Sequence, residues 1–273
     1  MYYYYHANGL ALGGRIRRPT DEVIESQASA VLPSSGGFGS TRVEHFNFKG
    51  IVSFRAAHTE VAGSDIENDN EQVIHTARSS VIVEGLNILN VVTADRVIAR
   101  LASRHPHNDD EPGIITTGSY FENLKIAGHT VDVVEFAHET FHSFDTHKKL
   151  NAEFGNNPDK LVCLLGRGIE GKGAQLTPHV AHLKEKFEKI KKAGKLPSTV
   201  VCSVIKQVSL KPQQKEIQVY GPIVVVPRFG TIILGEVIVK HSSKRLQMLR
   251  VELGSPDQGC ILCAIGEGNG VGG

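Results

Sequence analysis

Cysteine is scarce in this sequence. Four cysteines among 273 residues are far too few for a disulfide scaffold in a chain of this size. Cys260 and Cys263 form a C-x-x-C pair, but they lie in an apolar, strand-like run, whereas a thioredoxin-like redox pair precedes a helix. We therefore expect buried or half-buried reduced thiols at these two positions.

Long apolar runs and an excess of one charge are also missing. No stretch approaches the roughly 20 apolar residues that span a bilayer, and residues 1–7 lack the basic and apolar regions of a secretory signal. The 30 Lys and Arg residues balance the 29 Asp and Glu residues, so the formal net charge is +1. A protein of this charge has no field that attracts nucleic acid or an anionic membrane. By itself the sequence predicts a cytoplasmic protein with no nucleic-acid partner and no membrane span.

The residues that are present suit an ordinary globular β protein. Hydrophobic residues make up 40% and charged residues 22% of the chain, a composition that allows a packed core. The 28 glycines fall between apolar runs, as they do where many turns connect strands. The length fits one large β domain or two modest ones.

Patterns typical of strands dominate residues 1–134. Val97, Ala99 and Leu101, for example, share one face of a predicted strand, and Arg100 lies on the opposite face. This period of two indicates a strand with one buried and one solvated side.

The period changes in residues 135–197, which we expect to be helical. Residues 135–154 contain no glycine or proline and predict a first helix. A second helix is predicted from an N-cap at Thr177 and a proline at its first position, Pro178, to Gly194, which ends it.

The β pattern returns in residues 198–265 as five strand candidates, at a spacing typical of an antiparallel sandwich or barrel. Neither β region has enough apolar strands to cover itself, so we expect 1–134 and 198–265 to complete one sheet system. The glycine-rich residues 266–273 are expected to form a flexible tail. The predicted fold is therefore α+β and mainly β, an antiparallel β-sandwich or barrel with a two-helix insertion over 135–197.

Two segments within residues 79–130 resemble a known family. They are SSVIVEGLNILNVVTADRV at 79–97 and GSYFENLKIAG at 118–128. Together they are similar to the core of the choice-of-anchor P proteins, which are bacterial surface or secreted β proteins. The resemblance implies a β-rich, exported and non-enzymatic protein, at the cell surface or outside the cell, and it includes no catalytic residue.

One motif points to an enzyme. His138, Glu139 and His142 form a complete H-E-x-x-H; on a helix the two imidazoles face the same way and can bind one Zn²⁺, with Glu139 polarising a bound water. The longer form of the motif needs Gly at 145 and His at 148, where this chain has Asp145 and Lys148. Candidates for a third ligand are histidines of other segments, namely His105, His107 and His129. Two interpretations stay open: a zinc site, and a half-exposed helix that carries two histidines.

Four consecutive tyrosines, Tyr2, Tyr3, Tyr4 and Tyr5, open the chain. A run of aromatic residues suits a strand that is buried on both faces. This strand either belongs to the protein's own sheet or completes the sheet of a neighbouring copy, which would make the four tyrosines a self-association site.

The sequence therefore favours a non-enzymatic structural or self-associating β protein, which forms a surface or polymeric assembly with copies of itself and needs no cofactor. The alternative is a zinc-dependent hydrolase in which His138 and His142 bind the metal and Glu139 is catalytic.

Overall fold

Two antiparallel sheets of nine strands each pack against one another. The structure, a computed structural model, describes residues 3–67, 72–106, 111–156, 178–212, 215–254 and 256–272. The first sheet contains β1 (Tyr3–Arg18), β2 (Glu22–Gln27), β3 (Ala30–Val31), β12 (Thr199–Ser203), β14 (Gln218–Tyr220), β15 (Ile223–Val226), β16 (Gly230–Lys240), β17 (Lys244–Leu253) and β18 (Gln258–Gly272). The second sheet contains β4 (Gly37–Phe48), β5 (Val52–Glu67), β6 (Val73–Ile88), β7 (Val92–Pro106), β8 (Gly113–Ile115), β9 (Tyr120–Glu122), β10 (Lys125–Ile126), β11 (His129–Phe136) and β13 (Ile205–Lys211).

The strand order combines both β regions in each sheet. The first sheet runs β14-β15-β16-β17-β18-β1-β2, with β12 beside β16 and β3 beside β1. The second runs β13-β11-β10-β7-β6-β5-β4, with β8 and β9 beside β7. Strands from before and after the helical segment thus pair directly, β1 with β18 and β11 with β13. The predicted mainly β, antiparallel sandwich is confirmed.

The core lies between the sheets and follows the alternation of the sequence. In β7 the side chains of Val97, Ala99 and Leu101 are buried, and those of Arg96 and Arg100 are exposed. Burying a Val or Leu side chain contributes about 1.5–3 kcal/mol, so the long strands β5, β6 and β7 hold much of the stability of the second sheet.

Glycines allow the two sheets to approach closely. Gly9 of β1 lies opposite Gly266 of β18. A Cβ atom on Gly9 would lie 2.4 Å from Cγ2 of Thr59, and one on Gly266 would lie 3.3 Å from Oγ of Ser79. Because Thr59 and Ser79 belong to the opposing sheet, a larger residue at Gly9 would push the sheets apart.

The first predicted helix, over residues 135–154, is wrong in its extent. Strand β11 continues to its end at Phe136, α1 spans His138–Ser143, and α2 spans His147–Asn156. The strand continues because the backbone has partners there: the amide of Ala137 donates to the carbonyl oxygen of Val204 at 2.7 Å. Two helices are predicted in the insertion over residues 135–197. Its described part contains three, namely α1, α2 and the helix Pro178–Ala193.

The second predicted helix is confirmed in its bounds. Helix α3 spans Pro178–Ala193, and Gly194 follows with a φ of 64°, the left-handed conformation that ends helices. The predicted N-cap, Thr177, lies outside the described residues. Among the described helices, none has both the length and the apolar character needed to cross a membrane.

Residues 266–273 are not a tail as far as the structure describes them. Strand β18 continues to Gly272, and its backbone pairs with β1, Gly270 opposite Tyr5 and Gly272 opposite Tyr3. Backbone hydrogen bonds need no side chain, so a glycine-rich segment can pair wherever a neighbouring strand offers partners. The sequence does not indicate this pairing, because the partner strand is distant in sequence.

A buried ion pair joins the β16–β17 turn to the segment that precedes β8. The side chain of Lys244 is 0% exposed and that of Glu111 is 3% exposed. Nζ of Lys244 donates to Oε1 of Glu111 at 2.7 Å and to the carbonyl oxygens of Lys240 at 2.8 Å and His241 at 3.1 Å. Burial lowers the pKa of Lys244, and these three acceptors satisfy its three N–H donors.

The same carboxylate anchors helix α2. Glu111 accepts from the backbone amides of His147 at 2.5 Å and Lys148 at 3.1 Å. The amide of Lys149 donates to Oγ1 of Thr146 at 3.1 Å, so Thr146 is the N-cap. Burial opposes ionisation of Glu111, but the bonds from Lys244 and the helix hold its pKa below the usual range. One ionised side chain thus connects the first sheet to the helical segment.

We predict that Lys244→Met lowers the free energy of unfolding by about 3–5 kcal/mol, because it leaves the buried carboxylate of Glu111 without its cation. Urea unfolding measures the loss. Lys49→Met is the matched control, since Lys49 pairs with Glu22 but its side chain is 59% exposed, and an exposed pair contributes about 0–1 kcal/mol. Equal losses in the two variants would show that the buried pair is not structurally important.

Candidate functional site

The H-E-x-x-H residues lie on α1, a helix of six residues. His138 is half-buried; its ring stacks on that of Phe136 with centroids 4.9 Å apart, and its Nδ1 lies 3.1 Å from Oγ1 of Thr116. Burial lowers the pKa of His138, which favours the neutral imidazole that a metal requires. His142 is exposed.

A complete set of metal ligands is not found among the described side chains. No three His, Cys, Asp or Glu residues among them lie together as a metal site would need. Nδ1 of His105 lies 3.2 Å from the hydroxyl of Tyr3, and Nδ1 of His129 is buried without a hydrogen-bond partner among the described groups. His107 and the side chain of Glu139 lie outside the described part of the chain. The two motif histidines thus share a helix, but no described side chain joins them as a third ligand.

A second group of polar side chains, the tyrosine–histidine cluster, comprises Tyr3, Tyr5, Asp65, His75 and His105. The ring of Tyr3 stacks on that of His75 with centroids 3.8 Å apart and an angle of 9°, and meets Tyr5 edge-on at 4.9 Å. The hydroxyl of Tyr5 donates to Asp65, and Nδ1 of His75 lies 2.6 Å from the same carboxylate oxygen. The tyrosines come from the first sheet and the other three residues from the second, so the cluster joins the two sheets.

Burial and hydrogen bonds set the protonation states within the cluster. Burial and the carboxylate of Asp65 raise the pKa values of Tyr3 and Tyr5. Burial opposes ionisation of Asp65, but its bonds from Tyr5 and His75 lower its pKa. At neutral pH the phenols are therefore protonated donors and the carboxylate an ionised acceptor, an arrangement without an activated nucleophile.

The tyrosine run therefore lies in the protein's own sheet, one of the two alternatives. Tyr3, Tyr4 and Tyr5 pair with residues 270–272 of β18. Tyr5 is buried, whereas Tyr4 is 56% exposed. Tyr2 lies outside the described residues. A self-association site is expected at the four tyrosines. Two of them have rings that contact residues of their own chain.

The sequence patterns do not indicate which side chains contact Tyr3 and Tyr5. A signal for two of them existed: His75 and His105 lie directly opposite each other in the β6–β7 hairpin, at equal distances from its turn. Because the strands of a hairpin pair outward from the turn, this spacing predicts that the two histidines are neighbours. Their position against the first strand depends on how the two sheets pack, which the sequence does not show.

The longest edge strand of the sandwich is β4. Among the described residues it pairs with β5 alone, and none of its 12 residues is buried. The other end strands of the two sheets are shorter, with 6 residues in β2, 7 in β13 and 3 in β14. One side of β4 therefore offers a row of backbone groups that no described strand covers.

Two exposed apolar side chains flank this edge. Phe38 of β4 is 59% exposed and Val31 of β3 is 65% exposed. The strands touch here, since a Cβ atom on Gly39 would lie 3.4 Å from the carbonyl oxygen of Val31. We call β4 with Val31 the open edge.

A cleft and the thiols are the remaining candidates. The cleft, of about 530 Å³, is lined by residues that include Tyr120, Asp132 and Lys211; the last two form an ion pair, which leaves no net charge to select an ionic ligand. Cys263 is buried and Cys260 half-buried, as expected, and burial raises the pKa values of both thiols, which disfavours the reactive thiolate.

We predict that Tyr5→Phe lowers the free energy of unfolding by about 1–3 kcal/mol, because Asp65 loses a hydrogen bond at a partly buried site. Tyr4→Phe is the matched control: Tyr4 is exposed, and a change there should stay within about 0.5 kcal/mol. Urea unfolding compares the two. If the variants are equally stable, the Tyr5 hydroxyl contributes nothing and the cluster does not hold the sheets together.

For the H-E-x-x-H helix we predict zinc well below one atom per chain in protein purified without added zinc or a polyhistidine tag. The reason is that no described side chain completes a ligand set with His138 and His142. Elemental analysis decides this. Stoichiometric zinc that disappears in both His138→Ala and His142→Ala would establish a metal site.

Comparison with known proteins gives one match. No curated protein and no solved structure matches the chain. A family whose members have no assigned function matches residues 3–240, a range that includes most strands of both sheets. The protein therefore belongs to the family described as Domain of unknown function (DUF8256).

Proposed function

We propose that this protein is a non-enzymatic structural β protein that associates with copies of itself through the open edge. The observation that carries this proposal is β4, a 12-residue edge strand with no buried residue. It pairs with β5 alone among the described strands.

Edge strands in stable monomers are usually short, covered by other segments or protected by charge. Here the edge is long, and the exposed side chains of Phe38 and Val31 lie beside it. Pairing with another strand would satisfy the free backbone groups and remove both side chains from water. The formal net charge of +1 produces little repulsion between copies.

The proposed contact between copies lies at β4 and not at the tyrosine run, where the sequence predicts it. Tyr3 and Tyr5 make their ring contacts within the chain, so they are not available to a neighbour. Of the three described tyrosines of this run, only Tyr4 is exposed. A zinc-dependent hydrolase has less support, because no described side chain joins His138 and His142 as a third ligand.

We predict that the wild-type protein exceeds the monomer mass in light scattering at high micromolar concentrations. Phe38→Lys and Val31→Lys should each weaken association about tenfold or more, since each puts a hydrated charge into the contact. Val201→Lys is the matched control: Val201 is 39% exposed but lies on β12, away from the open edge.

Circular dichroism verifies that the three variants remain folded. A wild-type protein that is monomeric at high micromolar concentrations would contradict self-association. Equal effects of all three substitutions would show that the contact lies elsewhere.

A further inference from the structure

We infer that two copies pair β4 with β4, antiparallel, about a two-fold axis that passes beside Val43. This inference rests on the proposed function and specifies the surface, the partner and the register.

The sequence of β4 is complementary to itself in this register. A two-fold contact is reciprocal: if residue i lies opposite residue j of the second copy, then j lies opposite i. With Val43 opposite Val43, Arg42 of each copy lies opposite Glu44 of the other. The contact thus contains two opposite-charge pairs, a combination that stabilises adjacent strands.

Neighbouring registers are disfavoured by charge. Directly opposed side chains lie on the same face of a sheet, so a two-fold axis that continues the sheet must pass beside a residue and not between two. An axis at Arg42 would set Arg42 against Arg42, and an axis at Glu44 would set Glu44 against Glu44. An axis at Thr41 would set Glu44 against Phe38. Of these registers, only that at Val43 pairs opposite charges.

The charged side chains are accessible for such a contact. Nη2 of Arg42 lies 2.7 Å from Oε1 of Glu44 in the same chain, and the two side chains are 66% and 52% exposed. A second copy brings another Arg42 and another Glu44 to the same face, where the four charges alternate in sign. Edge charges normally oppose strand addition; this arrangement opposes foreign strands and accepts a copy of itself.

The bend at His45 does not disturb the pairing of β4 with β5. His45 has a φ of 54°, yet β4 keeps its pairing with β5 on both sides of it, Glu44 opposite Ala56 and Phe46 opposite Phe54. The backbone therefore bends without the insertion of a residue, and exposed and half-buried residues alternate regularly from Phe38 to Glu44. Beyond Glu44 the phase shifts, since Glu44 and His45 are both exposed and Phe46 is the next half-buried residue.

Two charge reversals test this register. R42E carries carboxylates at both positions of each chain, and E44R carries guanidinium groups at both. Like charges would then face one another in either homodimer, so each variant alone should associate about tenfold or more weakly than the wild type. In an equimolar mixture every carboxylate faces a guanidinium, and association should return to near the wild-type strength. Analytical ultracentrifugation of the wild type, each variant and the mixture measures all four constants.

The outcomes separate this inference from the proposed function. A monomeric wild type overturns both. A wild-type dimer whose two variants dimerise equally well, or whose mixture is no tighter than either variant alone, overturns the Val43 register and leaves self-association through another surface. Because Arg42 and Glu44 are exposed, both variants should fold, which circular dichroism verifies.

Discussion

The pairing of the first strand with the last is the constraint on which the rest of the structure depends. β1 and β18 pair from Tyr3 opposite Gly272 to Arg18 opposite Gln258. Both strands lie inside the first sheet, β18 between β17 and β1, and β1 between β18 and β2. The glycines of β18 let this pair lie close against the second sheet. With β1 and β18 both inside a sheet, the edges of the sandwich are formed by other strands such as β4.

The buried pair of Lys244 and Glu111 has a different role from the sheets. Replacing a buried ion pair with apolar residues often costs nothing, so the pair is weak support for net stability. Its contribution is positional: it fixes the start of α2 against the β16–β17 turn. The tyrosine–histidine cluster acts in a comparable way between the two sheets. In both groups the charged side chains are paired with partners in the same chain.

Local sequence patterns predict the helices and strands, whereas contacts between distant residues determine where these elements end and how they pack. The alternation around Val97 predicts a strand with one buried face; that face is buried, but Ile98 on the opposite face is buried as well. Pro178 and Gly194 predict the bounds of α3, which are confirmed. The break between α1 and α2 could not be predicted, because part of its cause is Glu111, 36 positions before His147.

The candidate site was less predictable than the fold. The H-E-x-x-H is visible in the sequence, but its partners depend on the packing of other strands. The tyrosine run is equally visible, yet its location inside a sheet follows from a partner strand more than 250 residues away. That β4 is an edge is a property of the strand order. No local pattern distinguishes an edge strand from a central one when both alternate.

Hydrogen exchange as a function of protein concentration tests the central claim, that β4 is the edge at which copies meet. The account predicts that amides in Gly37–Phe48 exchange more slowly as concentration rises, because they gain partners in the second copy. Amides in Ile205–Lys211, at the opposite edge of the same sheet, should exchange at a constant rate. Exchange in Gly37–Phe48 that does not change with concentration, while the protein associates, would contradict the account.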